Sequence, residues 1–218
     1  VTTPAQTFRG SHLIYCLGAH SPVAADINVA ALPYQLIRGQ TSLAAATAAS
    51  AKLRCALSGA SYISPAWQGL HCFGATFIHH DANTDWRSSE EQANRAELAA
   101  LNPALAQILL ADGLPQAKGH AALRCDSPDH LPIVGPLADI RAMQQSYGLH
   151  TPCPYLPDAY INTAHGSRGL ATAPICAAAI AADILGRPNP LSPRIRTALH
   201  PNRTIIRALI KQQPLLQN

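Results

Sequence analysis

The sequence predicts an α+β fold in which an antiparallel sheet over roughly residues 32–120 is flanked by pieces of a separate α/β layer. Three stretches carry that reading. Residues 159–185 open with a β-prone run, Tyr160-Ile161-Asn162-Thr163, pass through a glycine-bounded loop, His165-Gly166-Ser167-Arg168-Gly169, and end in an alanine-rich apolar helix. Residues 53–57, 61–64 and 70–78 alternate or run apolar, broken at Gly59 and over 65–69, which is the pattern of an antiparallel meander. Residues 12–17 form a short apolar strand that ends in Gly18-Ala19, as suits the last strand of a nucleotide-binding layer.

The remaining elements follow in chain order. Residues 34–37 are a second strand candidate, with Arg38-Gly39-Gln40 directly after it. Ser88 and Glu91 have the spacing of a capping box for a helix through Leu101, which Asn102-Pro103 ends. Residues 104–111 read as a second short helix, closed by Asp112-Gly113. A strand over 121–124 leads into a proline-rich connection over 125–135, then a helical pattern over 138–147 and a loop over 148–157. In the 159–185 stretch Pro174 suits a helix's first turn, and Gly186 with Pro188 stops that helix. A last helix is expected over 202–212.

At 218 residues the chain can bury a substantial core, as one large domain or two small ones. Hydrophobic residues make up 48%, charged residues 13% and aromatics 5%, so alanine dominates the apolar fraction and the sparse charge points to a partly covered surface. The longest apolar run, 174–185, is too short to span a bilayer and carries Asp183, so no membrane segment is expected. The opening Val1-Thr2-Thr3-Pro4 lacks the basic-then-apolar layout of a signal peptide. Cys16, Cys55, Cys72, Cys125, Cys153 and Cys176 are scattered, mostly in apolar runs and without a C-x-x-C pair, which favours reduced thiols and a cytoplasmic protein. His79-His80-Asp81 makes a poor chelate, because neighbours on a strand point to opposite faces, and no metal site is expected.

A strand, a glycine loop and a buried helix together bring backbone N–H groups and a helix N-terminus up to an anionic or electron-rich ligand. Arg168 is held between the two glycines of that loop, and Arg124 closes the strand that precedes Asp126-Ser127-Pro128-Asp129-His130-Leu131-Pro132-Ile133-Val134-Gly135. A guanidinium grips a carboxylate through paired hydrogen bonds, so two converging arginines would fix a carboxylate-bearing substrate. Either arginine alone reads more readily as an ordinary surface or salt-bridged residue, and sequence spacing does not show convergence.

These residues resemble a known family. Arg124, then Asp129-His130-Leu131-Pro132 and Gly135, then Gly166-Ser167-Arg168-Gly169-Leu170 with Ala173-Pro174, then Ala198-Leu199 and Pro201-Asn202-Arg203 occur in this order. The set is similar to the C-terminal half of the MnmC family of bifunctional tRNA wobble-uridine enzymes, within the D-amino-acid-oxidase-like flavoprotein superfamily. Gly39-Gln40 after a strand and the strand over 70–77 also fit, so the resemblance runs from His12 to Lys211. Ser127-Pro128 stands where the family tends to Thr-Arg, Ala171-Thr172 lies in the loop's tail, and His200 stands where Asn is usual. These departures leave both arginines intact.

The resemblance implies FAD and a particular reaction. The substrate is a tRNA uridine carrying a carboxymethylaminomethyl group. Hydride leaves its glycine-type α-carbon for the flavin, and water splits the resulting imine to aminomethyl-uridine and glyoxylate. Arg124 and Arg168 match positions that hold the substrate carboxylate in related amine oxidases. Gly166, Ser167, Arg168, Gly169 and Leu170 would lie against the flavin ring, with Gly18, Gly39, Gln40, Pro132 and Gly135 as further flavin-side candidates. Residues 1–31 and 121–186 then belong to the FAD-binding layer, 32–120 form the substrate-binding domain, and 187–218 are a basic C-terminal tail.

The family's full-length members also carry an S-adenosylmethionine-dependent methyltransferase domain, which nothing here resembles. No G-x-G-x-x-G turn occurs in the sequence, so the expectation is a C-terminal fragment whose FAD-binding half lies upstream. Such a fragment would not retain FAD, would be inactive alone, and would tend to self-associate through the uncovered face of its apolar helix. A small-amino-acid oxidase of the same superfamily and a non-catalytic tRNA-binding remnant are the competing readings. After Leu185 the charged residues are all basic: Arg187, Arg194, Arg196, Arg203, Arg207 and Lys211. Arg194, Arg196, Arg203, Arg207 and Lys211 are the candidates for tRNA phosphate contact.

Overall fold

The computed structural model describes residues 1–2, 4–111, 119–148 and 150–213. In chain order the elements are β1 (Leu13–Tyr15), α1 (Ile27–Ala30), β2 (Gln35–Ala45), β3 (Leu57–Ser58), β4 (Tyr62–Ile63), β5 (Leu70–Gly74), β6 (Ile78–His79), α2 (Ser88–Leu101) and α3 (Pro103–Leu109). There follow β7 (Ala121–Asp126), β8 (Ile133–Ala138), α4 (Ile140–Ser146), β9 (Tyr155–Thr163), α5 (Gly169–Ile184), α6 (Pro193–Leu199) and α7 (Asn202–Ile210). The chain forms two compact units, one of Leu36–Leu123 and one of Val1–Gln35 with Arg124–Asn218.

In the Leu36–Leu123 unit the sheet has the order β3-β4-β5-β2-β6, and β7 also pairs with β2. The pairings of β2 with β5 and β6, and of β4 with β3 and β5, are all antiparallel, as the alternating pattern predicts. The strand expected over 34–37 is longer than its apolar part and runs on through Arg38, Gly39 and Gln40 to Ala45. Its polar residues are buried at the two-residue period of a strand, and α2 supplies their partners. Arg38 Nε donates to Glu90 at 2.7 Å, Ser42 Oγ donates to Glu91 at 2.5 Å, and Asn94 donates to the Gln40 carbonyl at 2.9 Å. Next in the alternation, Ala44 joins Ile63, Phe73, Leu98 and Ala106 in an apolar core.

That polar seam explains why the expected capping box does not form. The helix starts at Ser88, but Arg87 occupies the N-cap and no side chain caps it, because Glu91 is drawn inward to Ser42 and Arg95. Asn102 ends α2 and caps α3 by accepting from the Leu105 N–H, with Pro103 in the first turn. The expected closure at Asp112-Gly113 lies outside the described residues.

The other unit is built on a three-stranded sheet of order β1-β9-β8. β1 runs parallel to β9, with Leu13 beside Ala159 and Tyr15 beside Ile161, while β8 is antiparallel to β9, with Ile133 beside Thr163. α5 packs on this sheet through Cys176 and Ile180, which meet Val134 and Leu199 in a core cluster. α5 starts earlier than the sequence pattern indicates, at Gly169, so Pro174 lies inside it rather than in its first turn. The ring sits on the exposed side, where the Leu170 carbonyl it cannot bond reaches water. Gly186, at φ +61°, ends the helix, and the Arg187 N–H returns to the Ala182 carbonyl at 2.8 Å, the pairing of a Schellman turn. Beyond it the sequence pattern showed only one helix, but Ser192 caps a further one, α6, which packs against β8.

Candidate functional site

The parallel pairing of β1 and β9 puts their carboxyl ends on one edge of the sheet, and the antiparallel register of β8 brings its first residues to the same edge. Open α/β sheets receive ligands at the carboxyl ends of parallel strands. Gly18, Pro132 and the candidates of the glycine loop lie there. Gly18 follows β1 at φ +53° and opens a 3₁₀ turn over Gly18–Val23. Pro132 leads into β8. After β9, Ala164 and Gly166 take left-handed conformations at φ +58° and +56°, a 3₁₀ turn covers Gly166–Arg168, and α5 begins at Gly169. Ser21 Oγ and Thr163 Oγ1, 3.0 Å apart and buried, tie the turn after β1 to the end of β9.

β7 pairs with β2 in the other sheet, and its last residue, Asp126, reaches the glycine loop at this edge. A strand's two-residue period puts Arg124 and Asp126 on one face. The Asp126 carboxyl lies so close to the glycine loop that a β-carbon on Gly166 would stand 3.2 Å from its Cγ. Cys125, between them, bonds toward Thr163 and Ala164, and burial pushes its thiol up to about 11. Arg124 is half-buried, whereas Arg168 is exposed. The two arginines therefore sit on segments joined through the Asp126–Gly166 contact.

Two further groups at this edge were quoted in the motif but given no role from sequence. His130, at φ +57°, places Nδ1 2.7 Å from the Asp126 carboxylate. His165 bridges Asn162 Oδ1 and Thr172 Oγ1 at 2.9 Å each, joining the end of β9 to the start of α5. Burial holds its pKa below the ordinary histidine value. The signal for both was their place beside candidate residues, but a histidine's partner lies in the fold and not in its spacing.

Other candidates have local structural work. The fully buried Gln40 carboxamide brackets the Arg87 backbone, accepting from its N–H and donating to its carbonyl at 2.8 Å each. Gly135, at φ +134° in β8, faces the His200–Pro201 corner and lines a cleft of ≈ 230 Å³ with Ile180, Asp183, Leu191, Arg196 and His200. Among the basic residues after Leu185, Arg203 clamps Asp129 with Nε at 3.1 Å and one terminal nitrogen at 3.0 Å, and also donates to the carbonyls of Leu131, Leu199 and His200. That clamp holds the Asp129 carboxyl well below the usual carboxylate range. Arg207 reaches the same carboxylate at 3.5 Å, and Arg196 pairs with Asp183 at 2.9 Å. Arg194 and Lys211 are exposed. No group of three or more His, Cys, Asp or Glu that could hold a metal ion occurs among the described residues, and no described helix is long and apolar enough to cross a membrane.

The profile of the DAO family, described as FAD dependent oxidoreductase, matches residues 1–183. A tRNA 5-methylaminomethyl-2-thiouridine biosynthesis bifunctional protein MnmC of Pseudomonas putida is 39% identical over 226 residues, covering 94% of this chain and 34% of the relative. The protein of the same name from Chromobacterium violaceum is 40% identical over 191 residues, covering 84% of this chain and 29% of the relative. The chain thus spans about a third of the length of the curated relatives it matches. Among solved structures, glycine oxidase from Geobacillus kaustophilus superposes with a TM-score of 0.66 at 13% identity, over 92% of this chain and 47% of the oxidase. Glycine oxidase from Bacillus cereus gives 0.61 at 18% identity, over 83% of this chain and 44% of the oxidase. These likenesses establish the shared fold, and the family match establishes the affiliation: the chain belongs to the DAO family of FAD-dependent oxidoreductases.

Proposed function

We propose that this chain is the substrate-gripping part of an oxidoreductase that removes the carboxymethyl group from carboxymethylaminomethyl-uridine at the tRNA wobble position and releases glyoxylate. The observation that carries the reading is the identity of 38–41% to MnmC proteins over most of the chain. Arg168, in the loop at the carboxyl edge of the three-stranded sheet, and Arg124, two residues before the Asp126 that lies against that loop, support it as the grip for a carboxylate.

The residues at that edge fit a flavin ring. Gly18 and Gly166 stand at left-handed φ and leave the edge free of two side chains. The first turn of α5 has no side-chain cap, so its N–H groups are available to an electron-rich rim, and Leu170 is fully exposed beside them. Gly166, Ser167, Gly169 and Leu170 would hold the ring, with Gly18 and Pro132 beside it. The G-x-G-x-x-G phosphate seat is absent from the sequence, and we assign it to the further length that the relatives possess.

When bound, FAD supplies the two-electron acceptor for hydride from the carbon between nitrogen and carboxylate. This chain's residues orient that carbon. Arg168 and Arg124 hold the carboxylate, which fixes the C–H bond relative to the glycine loop. Loss of hydride leaves a C=N bond, water adds to it, and the C–N bond breaks to give the aminomethyl nucleoside and glyoxylate. In the same reading the remaining length of the protein includes an S-adenosylmethionine-dependent methyltransferase, and the enzyme works in the cytoplasm. Incubating the flavin-loaded oxidoreductase that contains this chain with carboxymethylaminomethyl-tRNA tests the proposal. It predicts one glyoxylate per modified uridine consumed, and oxidation of free glycine in place of the tRNA group would overturn it.

A further inference from the structure

The connection that joins β4 to β5 carries Trp67, a residue 78% exposed. An indole is ordinarily drawn to a core or an interface, because its large apolar ring has much to gain from leaving water. Trp67 N–H and carbonyl close the turn with Leu70 at 2.9 and 3.0 Å, so the ring is carried on a fixed backbone.

The sequence around it carries no acid. Between Asp26 and Asp81 the sequence contains no Asp or Glu. Of the three Lys and Arg residues in that interval, Arg38 is buried on Glu90, which leaves Lys52 and Arg54, both exposed. They lie on the stretch that runs beside the hairpin. The Ala46 N–H donates to the Gly69 carbonyl at 2.8 Å, and Ser50 Oγ meets His71 Nε2 at 3.0 Å. That stretch also packs against α3, whose sequence PALAQIL carries no charge.

An exposed flat ring on a hairpin, with two exposed cations on the stretch that bonds to that hairpin and no carboxylate between positions 26 and 81, is the chemistry that recognises an unpaired nucleotide segment. We propose that the β4–β5 hairpin is an RNA-docking surface, with Trp67 stacking on an unpaired base and Lys52 and Arg54 contacting the flanking phosphates. This rests on the tRNA reading given above and adds a surface in the sheet unit that the basic residues after Leu185 do not supply. A loop is the expected ligand, since a duplex buries the faces of its bases.

The 218-residue chain carries a second tryptophan, Trp86, so a Trp86→Phe background makes Trp67 the sole indole. An unmodified anticodon stem–loop transcript should quench its emission, and a blunt RNA duplex of equal length should not. Trp67→Ala should weaken stem–loop binding at least about fivefold, the lower range for one stacked base, with Trp67→Phe retaining most of the affinity. Lys52→Gln with Arg54→Gln should flatten the salt dependence. Anisotropy of labelled RNA gives the affinities without the Trp86→Phe change, should that variant fail to fold. If the stem–loop binds wild type while Trp67→Ala stays within about twofold, the hairpin is not the docking surface and the tRNA reading stands. If the wild-type chain does not bind the transcript at low salt, the docking surface falls, and the glyoxylate assay on the flavin-loaded oxidoreductase still decides the tRNA reading.

Discussion

The carboxyl group of Asp126 lies against the main chain of Gly166, where a β-carbon would stand 3.2 Å from Cγ and Oδ2. This contact seats the glycine loop on the end of β7, two residues from Arg124 in one direction and two from Arg168 in the other. Gly166→Ala should therefore act twice. The left-handed φ of +56° costs an alanine about 1–2 kcal/mol, which urea unfolding would register. The added methyl also pushes the loop off Asp126, so turnover in the flavin-loaded enzyme should fall by more than the stability loss explains. Wild-type turnover in Gly166→Ala would show that the loop's seat is immaterial.

Arg168→Lys separates gripping from folding. The side chain is exposed, so stability should stay within about 0.5 kcal/mol. The planar fork is lost, and hydrogen bonds to a charged group are worth about 1.5–3 kcal/mol, so kcat/KM should fall roughly tenfold to a hundredfold. Equal kcat/KM in the two proteins would remove Arg168 from the site.

Arg203 should behave in the opposite way. Its guanidinium is engaged with Asp129 and three carbonyls, so Arg203→Gln should cost stability, by about 2 kcal/mol for the lost charged hydrogen bonds. The Asp129 carboxyl is held below its usual range chiefly by those bonds to Arg203. A depressed carboxylate contributes stability that is present above its unfolded value of about 3.9 and is lost as pH falls below it. The wild type should thus lose stability on acidification through that window, and Arg203→Gln should show a shallower slope there. Parallel curves would mean that the clamp does not couple to folding.

Histidines should govern the milder acid range. Burial lowers the pKa of His165, and burial followed by the nearby Arg203 and Arg196 lowers that of His200. His200 Nδ1 accepts from the Asn202 N–H at 3.1 Å, at the start of α7, and protonation would remove that acceptor. A histidine held neutral in the fold contributes stability above its unfolded value of about 6.5 that is lost as pH falls below it. Replacing both with glutamine should flatten the wild-type decline just below that pH. An unchanged decline would place its origin elsewhere.

Much of the edge was legible because glycines and helix stops are local signals. Gly18, Gly166 and Gly186 all take positive φ, where a side chain is strained, and their positions mark the turn after β1, the loop after β9 and the end of α5. The antiparallel meander was likewise readable from alternation. The polar seam of β2 was not, because Arg38, Gln40 and Ser42 look like surface residues until Glu90, Glu91 and Asn94 meet them from a helix about fifty residues later. A longer separation in sequence hid the Arg203–Asp129 clamp, which turns a basic residue of the expected tail into part of the packed unit. A net basic run shows charge but not which charges are already paired.

The apolar face of α5 gives a further test. Leu170, Ile175 and Leu185 are exposed by 100%, 41% and 60%, and the exposed Ala171, Pro174, Ala178 and Ala181 continue the stripe. The chain should associate with rising concentration in sedimentation velocity, and Ile175→Lys with Leu185→Glu should return it to monomer. A wild type that is monomeric at every concentration would contradict this.

If Arg124 and Arg168 hold one carboxylate, a double-mutant cycle registers it directly. Dissociation constants for N-methylglycine and its amide would be followed through the visible spectrum of the flavin-loaded enzyme, for wild type, Arg124→Lys, Arg168→Lys and the double variant. Wild type should favour the acid over the amide by about tenfold or more, each single variant should lose most of that preference, and the double variant should lose little beyond either single one. Independent, fully additive losses, or an acid-over-amide preference that survives both substitutions, would show that the two arginines do not share the carboxylate.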